Sequence, residues 1–199
     1  MINIMLTGVG GQGTVLAAKV LAQAAQHKGW HVRTAETIGM AQRGGSVVSH
    51  VRMGNEGEYV HAPLIALGSA DLIIAFEPAE GARVLPYLSA NGMLVTASTA
   101  IQPVTASLDA NPYNGARVIR QLADAFSSSP ERLTIVPDEA LLSQLGTRKA
   151  LNTVLLAQAL SMGKVPLTID DLRAAIRATV KPAFVDMNLE AINRAASLT

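Results

Sequence analysis

Two glycine-rich segments near the N-terminus contain the residues best suited to bind an anion. The first spans residues 8–13 (Gly-Val-Gly-Gly-Gln-Gly) and fits the pattern G-x-G-x-x-G. The second spans residues 36–46 and contains Arg43 next to Gly44 and Gly45. Backbone N–H groups of a glycine loop can approach a phosphate closely, and a guanidinium makes paired hydrogen bonds to carboxylates and phosphates. Both segments are therefore expected to contact a bound anion.

The residues expected to bind a cofactor belong to these two segments. They are glycines, hydroxyls, amides and one guanidinium: Gly10, Gly11, Gln12, Gly13, Thr37, Gln42, Arg43, Gly44, Gly45 and Ser46. Three more residues are expected at the rim facing a partner or substrate: Met40, His50 and Arg52. No catalytic residue is assigned, because no serine lies in a G-x-S-x-G turn. No metal ligand is assigned either, because the histidines and carboxylates are not spaced as in a metal site.

Several of these residues also have an ordinary structural explanation. The first glycine loop could simply make a tight turn, and Arg43 could pair with Glu36 or Glu77 to hold its own loop. On its strand, His50 could be a hydrogen-bonded structural residue instead of a proton donor. Glu77 and Glu80 could act as acid–base groups, although the dipole of the helix that they begin explains carboxylates equally well.

Strands and helices are predicted to alternate along most of the chain. Strands are expected at residues 2–7, 32–38, 46–53, 71–76, 93–97 and 133–136. Helices are expected at residues 14–27, 78–90, 115–126 and 184–196, with shorter ones from 138 and 147. This alternation favours one α/β domain over residues 1–199, with a mostly parallel sheet, flanking helices and a helical C-terminal third.

Three local patterns make this prediction more specific. Residues 46–53 alternate in polarity and precede a glycine-rich turn, so they are expected to pair with residues 59–60 as an antiparallel hairpin. Residues 151–160 are apolar on nearly every side, which indicates a fully buried helix. Thr168 is followed three residues later by Asp171, which resembles a capping box at a helix start.

The composition excludes several classes of protein. The chain has no cysteine, so it forms no disulfide and holds no iron–sulfur cluster or thiolate metal site. A net charge of +1 with dispersed basic residues gives no reason to expect nucleic-acid binding. The longest uncharged run, residues 84–108, contains prolines that prevent a membrane-spanning helix. With no signal-peptide pattern at the N-terminus, a cytoplasmic protein is expected.

The chain is also unusually apolar for a soluble domain. Its 199 residues are 49% hydrophobic and only 16% charged, whereas roughly a quarter of residues are charged in typical domains. Either the core is large or a partner covers apolar surface, and the partner explanation is preferred because the excess consists of small and aliphatic residues.

Four segments resemble the gamma-type subunits of the 2-oxoacid:ferredoxin oxidoreductases. They are residues 8–13, 35–52, 70–78 and 149–156. This family includes enzymes for pyruvate, ketoisovalerate and indolepyruvate, and the small subunit of the indolepyruvate enzymes is the most similar. The match over residues 35–52 is the longest and the most specific of the four.

The resemblance implies a non-catalytic subunit of an enzyme that decarboxylates a 2-oxoacid, such as indolepyruvate, on thiamine diphosphate. The acyl group passes to coenzyme A, and electrons pass through iron–sulfur clusters to ferredoxin. A chain without cysteines and without a Gly-Asp-Gly sequence holds neither thiamine diphosphate nor clusters. A large partner subunit is therefore expected to carry both, with coenzyme A at the two glycine-rich segments, ferredoxin as an indirect partner and a homodimer as the alternative assembly of the isolated chain.

Two other functions stay open on the sequence alone. The glycine pattern followed by Glu36 would also suit a self-sufficient NAD- or FAD-binding oxidoreductase, in which the acid binds a ribose. The same fold could instead serve as a regulatory or scaffolding module outside any enzyme complex.

Overall fold

The computed structural model describes residues 1–39, 44–101 and 113–197. One six-stranded sheet contains β1 (Ile2–Val9), β2 (His31–Ile38), β3 (Ser46–Gly54), β4 (Ala70–Ala75), β5 (Leu88–Ala97) and β6 (Leu133–Val136). The strands lie in the order β2-β3-β1-β4-β5-β6. Strands β1, β4, β5 and β6 run parallel, whereas β3 is antiparallel to both of its neighbours. The predicted α/β fold with a mostly parallel sheet is confirmed.

Helices cover both faces of this sheet. They are α1 (Thr14–His27), α2 (Pro78–Val84), α3 (Gly115–Ala125), α4 (Asp138–Leu145), α5 (Leu151–Ser161), α6 (Ile169–Thr179) and α7 (Val185–Ala196). Short 3-10 turns lie at Leu85–Tyr87, Pro130–Arg132, Arg148–Ala150 and Pro182–Phe184. Helices α1 and α4 to α7 form the core on one face, and α2 and α3 pack on the other. No helix within these described ranges has the length and apolarity to cross a membrane.

The central strands are buried on both faces. Leu6 and Ile74 belong to the core beneath α1 and α5, while Met5 and Ile73, their neighbours in sequence, belong to the core beneath α2 and α3. Because successive side chains of a strand point to opposite faces, a continuous apolar run is needed to fill both cores. This explains the uninterrupted apolar sequence of β4.

The predicted pairing of residues 46–53 with residues 59–60 is wrong. Strand β3 pairs instead with β2 and β1, and residues 55–69 form no strand. Since β3 lies between two strands, both of its hydrogen-bonding edges are occupied. The chain after β3 crosses the sheet as an irregular segment, in which the Val60 amide donates to His31 Nδ1 over 3.1 Å.

The helix predicted over residues 78–90 is shorter than expected. Helix α2 ends at Val84, and β5 begins at Leu88 instead of at residue 93. Pro86 lies in the 3-10 turn between them. Proline has no amide hydrogen to donate and clashes with the preceding helical turn, so the helix stops before it.

Two predictions for the C-terminal third are confirmed. Helix α5 is buried at every position except Ser161, its last residue. At the start of α6, Thr168 Oγ1 accepts from the Asp171 amide over 3.1 Å, and Asp171 Oδ2 accepts from the Thr168 amide over 2.8 Å. These two hydrogen bonds form the predicted capping box. The last helix begins within one residue of its predicted start.

Candidate functional site

The first glycine loop joins β1 to α1 and ends in a helix without a side-chain cap. Gly13 is the N-cap residue and has a left-handed backbone with φ of 84°. Its first turn contains no acidic residue. Helix α1 therefore presents unpaired N–H groups and the positive end of its dipole at the loop, which suits a negatively charged ligand.

Gln12 holds this loop against the sheet. Its Oε1 atom accepts from the Val9 amide over 2.8 Å, and its Nε2 atom donates to the Phe76 carbonyl over 2.7 Å. Both polar ends of the side chain thus serve the fold. Gln12 was expected to bind a cofactor. Because both ends of its amide bond backbone groups, the side chain stabilises the loop at the wall of the cleft.

A cleft with a cavity volume of 430 Å³ opens beside the glycine loop. Residues 10–13 line one side of it. Arg148, Lys149, Leu151 and Asn152 line another side, at the start of α5. Two helix N-termini and two cationic side chains therefore converge on one cavity, which is the arrangement expected of a phosphate or carboxylate site.

Arg148 and Lys149 were not assigned to the site from the sequence. Both side chains are exposed, and neither forms an ion pair within the described part of the chain. They come directly before α5, where a cation is repelled by the positive end of the helix dipole. Two consecutive cations at a helix start could have indicated an anion there, because a bound anion would remove the repulsion.

Asn152 directs a free amide group into the cleft. Only 5% of this residue is exposed, and its Oδ1 atom accepts from the Thr153 amide over 2.9 Å. That bond fixes the amide orientation, so the NH₂ group is directed away from the helix backbone. The Nδ2 atom lies 3.0 Å from the point where a Cβ at Gly13 would lie. No acceptor for Nδ2 is found among the described residues, which leaves it available to a ligand.

The two glycine-rich segments meet, because the second one leads into β3, the neighbour of β1. The Gly10 amide donates to the Gly45 carbonyl over 2.9 Å, and within the second segment the Gly39 amide donates to the Ser46 carbonyl over 2.7 Å. Strand β3 lies between β1 and β2, so its first residues bring the second segment to the first. Met40, Gln42 and Arg43 lie outside the described residues, and their assignments stay predictions.

Two buried carboxylates lie at the start of α2, and one of them, Glu80, contacts the second segment. Ser46 Oγ donates to Glu80, which also pairs with Arg83 at 3.0 Å. Glu77 Oε2 accepts from the Glu80 amide over 3.0 Å as the N-cap of α2, and Tyr113 Oη donates to the other Glu77 oxygen. Burial, together with this bond to Glu77, raises the pKa of Tyr113 far above its usual value. Both carboxylates therefore serve as hydrogen-bond acceptors within the fold.

Six of the described residues that were predicted for the site do not line the cleft: Thr37, Gly44, Gly45, Ser46, His50 and Arg52. Thr37 is exposed on the edge strand β2. His50 Nδ1 accepts from the Ile65 amide over 3.2 Å, and burial lowers the pKa of this histidine. Arg52 donates to Asn3 Oδ1 over 2.9 Å and faces the start of β1, at the opposite end from the glycine loop. The geometry of His50 agrees with the structural explanation.

Comparison with known proteins assigns the chain to a family. The sequence profile described as "Pyruvate ferredoxin/flavodoxin oxidoreductase" matches residues 3–198. The chain belongs to this family. The resemblance to 2-oxoacid:ferredoxin oxidoreductase subunits that the sequence suggested is thereby confirmed.

One relative in the pyruvate ferredoxin/flavodoxin oxidoreductase family is similar over nearly its whole length. Indolepyruvate oxidoreductase subunit IorB of Archaeoglobus fulgidus is 36% identical over 191 residues, which are 96% of this chain and 92% of the relative. The chain is therefore similar to a separate subunit and not only to part of a longer polypeptide.

Two solved structures of the same kind share the fold. The gamma subunit of a keto/oxoacid ferredoxin oxidoreductase from Geobacter sulfurreducens has a TM-score of 0.69 at 20% identity, covering 99% of this chain and 97% of that one. A 2-oxoglutarate:ferredoxin oxidoreductase from Magnetococcus marinus has a TM-score of 0.70 at 16% identity, covering 99% of this chain and 30% of that one. In that enzyme the fold is therefore one part of a longer chain.

The family fold separates Glu36 from the first glycine loop. A ribose-binding acid of a dinucleotide fold lies at the end of the strand next to β1. Here β3 occupies that place, and Glu36 lies on β2, two strands away, or about 10 Å at ordinary strand spacing. Within the described ranges, no group of three His, Asp or Glu side chains could hold a metal ion.

Proposed function

We propose that the chain is the non-catalytic small subunit of a thiamine diphosphate-dependent 2-oxoacid:ferredoxin oxidoreductase. The substrate is an arylpyruvate such as indolepyruvate, and the products are the acyl-coenzyme A, CO₂ and reduced ferredoxin. Similarity to an indolepyruvate oxidoreductase subunit over 96% of the chain supports this substrate class.

The role of this chain is to hold the phosphates of coenzyme A in the cleft beside the glycine loop. One observation carries the proposal: Arg148 and Lys149 line the same cavity as residues 10–13, where α1 starts without a side-chain cap. Cations and free N–H groups are the partners that phosphates require. The Asn152 amide adds a directed donor at the same wall.

The chemistry of bond cleavage and electron transfer belongs to the partner subunit. Thiamine diphosphate and iron–sulfur clusters, when bound there, supply decarboxylation and the path of electrons to ferredoxin. This chain has no cysteine with which to hold a cluster. Its own residues bind and orient the acyl acceptor, and the isolated chain is inactive.

Purification from native extract under anaerobic conditions tests the assembly, with mass spectrometry of the proteins that accompany the chain. A large subunit containing thiamine diphosphate and iron–sulfur clusters should accompany it in fixed proportion. The complex should reduce ferredoxin with indolepyruvate only when coenzyme A is present. Recovery of the folded chain alone, at full yield, would overturn the proposal and favour the nucleotide-binding or scaffolding alternative.

The second segment is tested by Arg43→Ala in the reconstituted complex. The variant should impair turnover or assembly, because a guanidinium among glycines is suited to an anion or a partner carboxylate. Circular dichroism of the isolated variant should match the wild type. Arg177→Ala on the exposed surface of α6 is the matched control and should retain full activity. Full activity of the Arg43 variant would exclude a role for this arginine.

A further inference from the structure

We propose that an apolar groove binds the base of an adenine nucleotide whose phosphates lie at the glycine loop. The groove lies next to the cleft lined by residues 10–13, Arg148 and Lys149, which is called the anion cleft from here on. This inference rests on the anion cleft of the proposed function and adds the orientation of its ligand. Coenzyme A and the dinucleotides both contain an adenosine diphosphate group. The groove would therefore bind the adenine base of either ligand.

The groove continues directly from the cleft. It has a cavity volume of 180 Å³ and shares Leu16, Lys149 and Asn152 with the larger cavity. Its remaining wall is formed by the following residues from the end of α6 to α7: Val180, Phe184, Met187 and Asn188. A ligand can therefore extend from the glycine loop, past Lys149 and Asn152, into an apolar end.

The walls of the groove suit a flat heterocycle. Phe184 and Met187 supply an aromatic ring and a thioether, both of which pack well against the faces of bases. Phe184 is 39% exposed, and the Lys149 ammonium lies over its ring, 5.6 Å from the centroid. The volume admits one ring system, whereas a long flexible arm would not fit within it.

Of the two asparagines that line the groove, Asn188 has partners for both of its amide atoms, whereas Asn152 has no acceptor for its Nδ2 among the described residues. Asn188 is fully used, because Thr153 Oγ1 donates to its Oδ1 and its Nδ2 donates to the Phe184 carbonyl over 2.7 Å. These bonds hold the Phe184 backbone in place. Asn152, by contrast, is only 5% exposed as a residue, and its Nδ2, where the groove meets the cleft, has no acceptor within the described part of the chain. A ring nitrogen or a ribose oxygen would accept its hydrogen bond.

Calorimetric titration of the full chain with pyrophosphate and with ADP tests the inference. Pyrophosphate reports the anion cleft alone, and ADP adds the base. We expect ADP to bind about tenfold more tightly than pyrophosphate, the gain typical of one stacked base. Phe184→Ala should remove that gain and leave pyrophosphate binding unchanged. Tyr59→Ala is the matched control, since Tyr59 is an exposed aromatic residue that contacts His31 at the start of β2.

The possible outcomes distinguish a failure of the base groove from a failure of the anion cleft. Equal affinities for ADP and pyrophosphate in the wild-type chain would overturn the base groove and leave the anion cleft standing. Absence of binding for both would overturn the cleft and, with it, the base groove. If ADP binds as expected, titration with coenzyme A and with NAD identifies the source of the nucleotide. Tighter binding of coenzyme A would agree with the proposed function, and tighter binding of NAD would support the groove in a dinucleotide-binding protein.

Discussion

The Gly10 amide donates to the Gly45 carbonyl over 2.9 Å, and this bond joins the loop that follows β1 to the loop that precedes its neighbour β3. Val9 and Ser46 are paired in the register of β1 and β3, so the two loops leave the sheet side by side. The contact needs no side chain from either residue. It places the second glycine-rich segment beside the loop that borders the anion cleft, which makes the two segments one structural unit.

Gly13→Ala should destabilise the fold by more than Gly29→Ala. Both glycines have a left-handed backbone, with φ of 84° and 76°, which costs about 1–2 kcal/mol for any other residue. At Gly13 an added Cβ would also lie 3.0 Å from Asn152 Nδ2, whereas at Gly29 nothing lies within 4 Å. The free energy of unfolding in urea measures both costs. Equal losses of unfolding free energy in the two variants would show that the Asn152 side chain can move away from the added Cβ without cost.

Lys149→Ala should change affinity and stability in opposite directions. Losing a charge-assisted hydrogen bond should weaken coenzyme A binding about tenfold at low salt and less at high salt. Removing a cation from the start of α5 should raise the free energy of unfolding of the unliganded chain by about 0.3–1 kcal/mol. Titration calorimetry and urea unfolding give the two quantities.

Lys164→Ala, which removes another exposed lysine, is the control for Lys149→Ala and should change neither quantity. Unchanged affinity in the Lys149 variant would place the anion away from this side chain. A loss of stability would mean that Lys149 stabilises the unliganded fold.

Tyr113→Phe should destabilise the chain at neutral pH by about 1–3 kcal/mol, because buried Glu77 loses a hydrogen bond. The variant should also change the dependence on pH. Burial and Glu77 raise the pKa of Tyr113 above its usual 10.0, so above about pH 10 the folded state binds more protons than the unfolded state. Stability must then fall as pH rises, and it should fall less steeply in the variant. Chemical unfolding between pH 8 and about pH 11 measures this, and parallel curves would contradict it.

His50→Asn should reduce the loss of stability in mild acid. Burial lowers the pKa of His50 below its usual 6.5, so the unfolded state takes up a proton first as the pH falls. The contribution of neutral His50 is therefore present above pH 6.5 and is lost as the pH falls through the lowered pKa. Unfolding curves at several pH values between 7 and about 5 test the difference.

Most elements of the fold follow from local patterns in the sequence. The bounds of α1 and β6 agree with the apolar spacing and flanking residues, and the capping box at Thr168 forms as its residues predict. These features depend on neighbours in sequence, so residue order alone determines them. The same holds for the first glycine loop, where Gly13 begins a helix as the motif requires.

Strand pairing could not be read from the sequence in the same way. Residues 46–53 have the alternating polarity of a strand, but this pattern does not indicate which other strand they pair with. Strand β3 pairs with β2, which directly precedes it, and with β1, whose residues are far from it along the chain. The position of β3 between these two strands also moved Glu36 away from the first loop and thereby separated the fold from a dinucleotide-binding one.

The sequence by itself determined an α/β protein of this family, without cysteine chemistry and with two donor-rich glycine segments. Only the tertiary structure showed that Arg148, Lys149 and Asn152 complete the cleft, more than a hundred residues beyond the glycine loop. The physical reason is that local preferences set where helices and strands begin. A binding site depends on which helix ends converge in space, and the packing of α5 against the sheet and α1 decides that convergence.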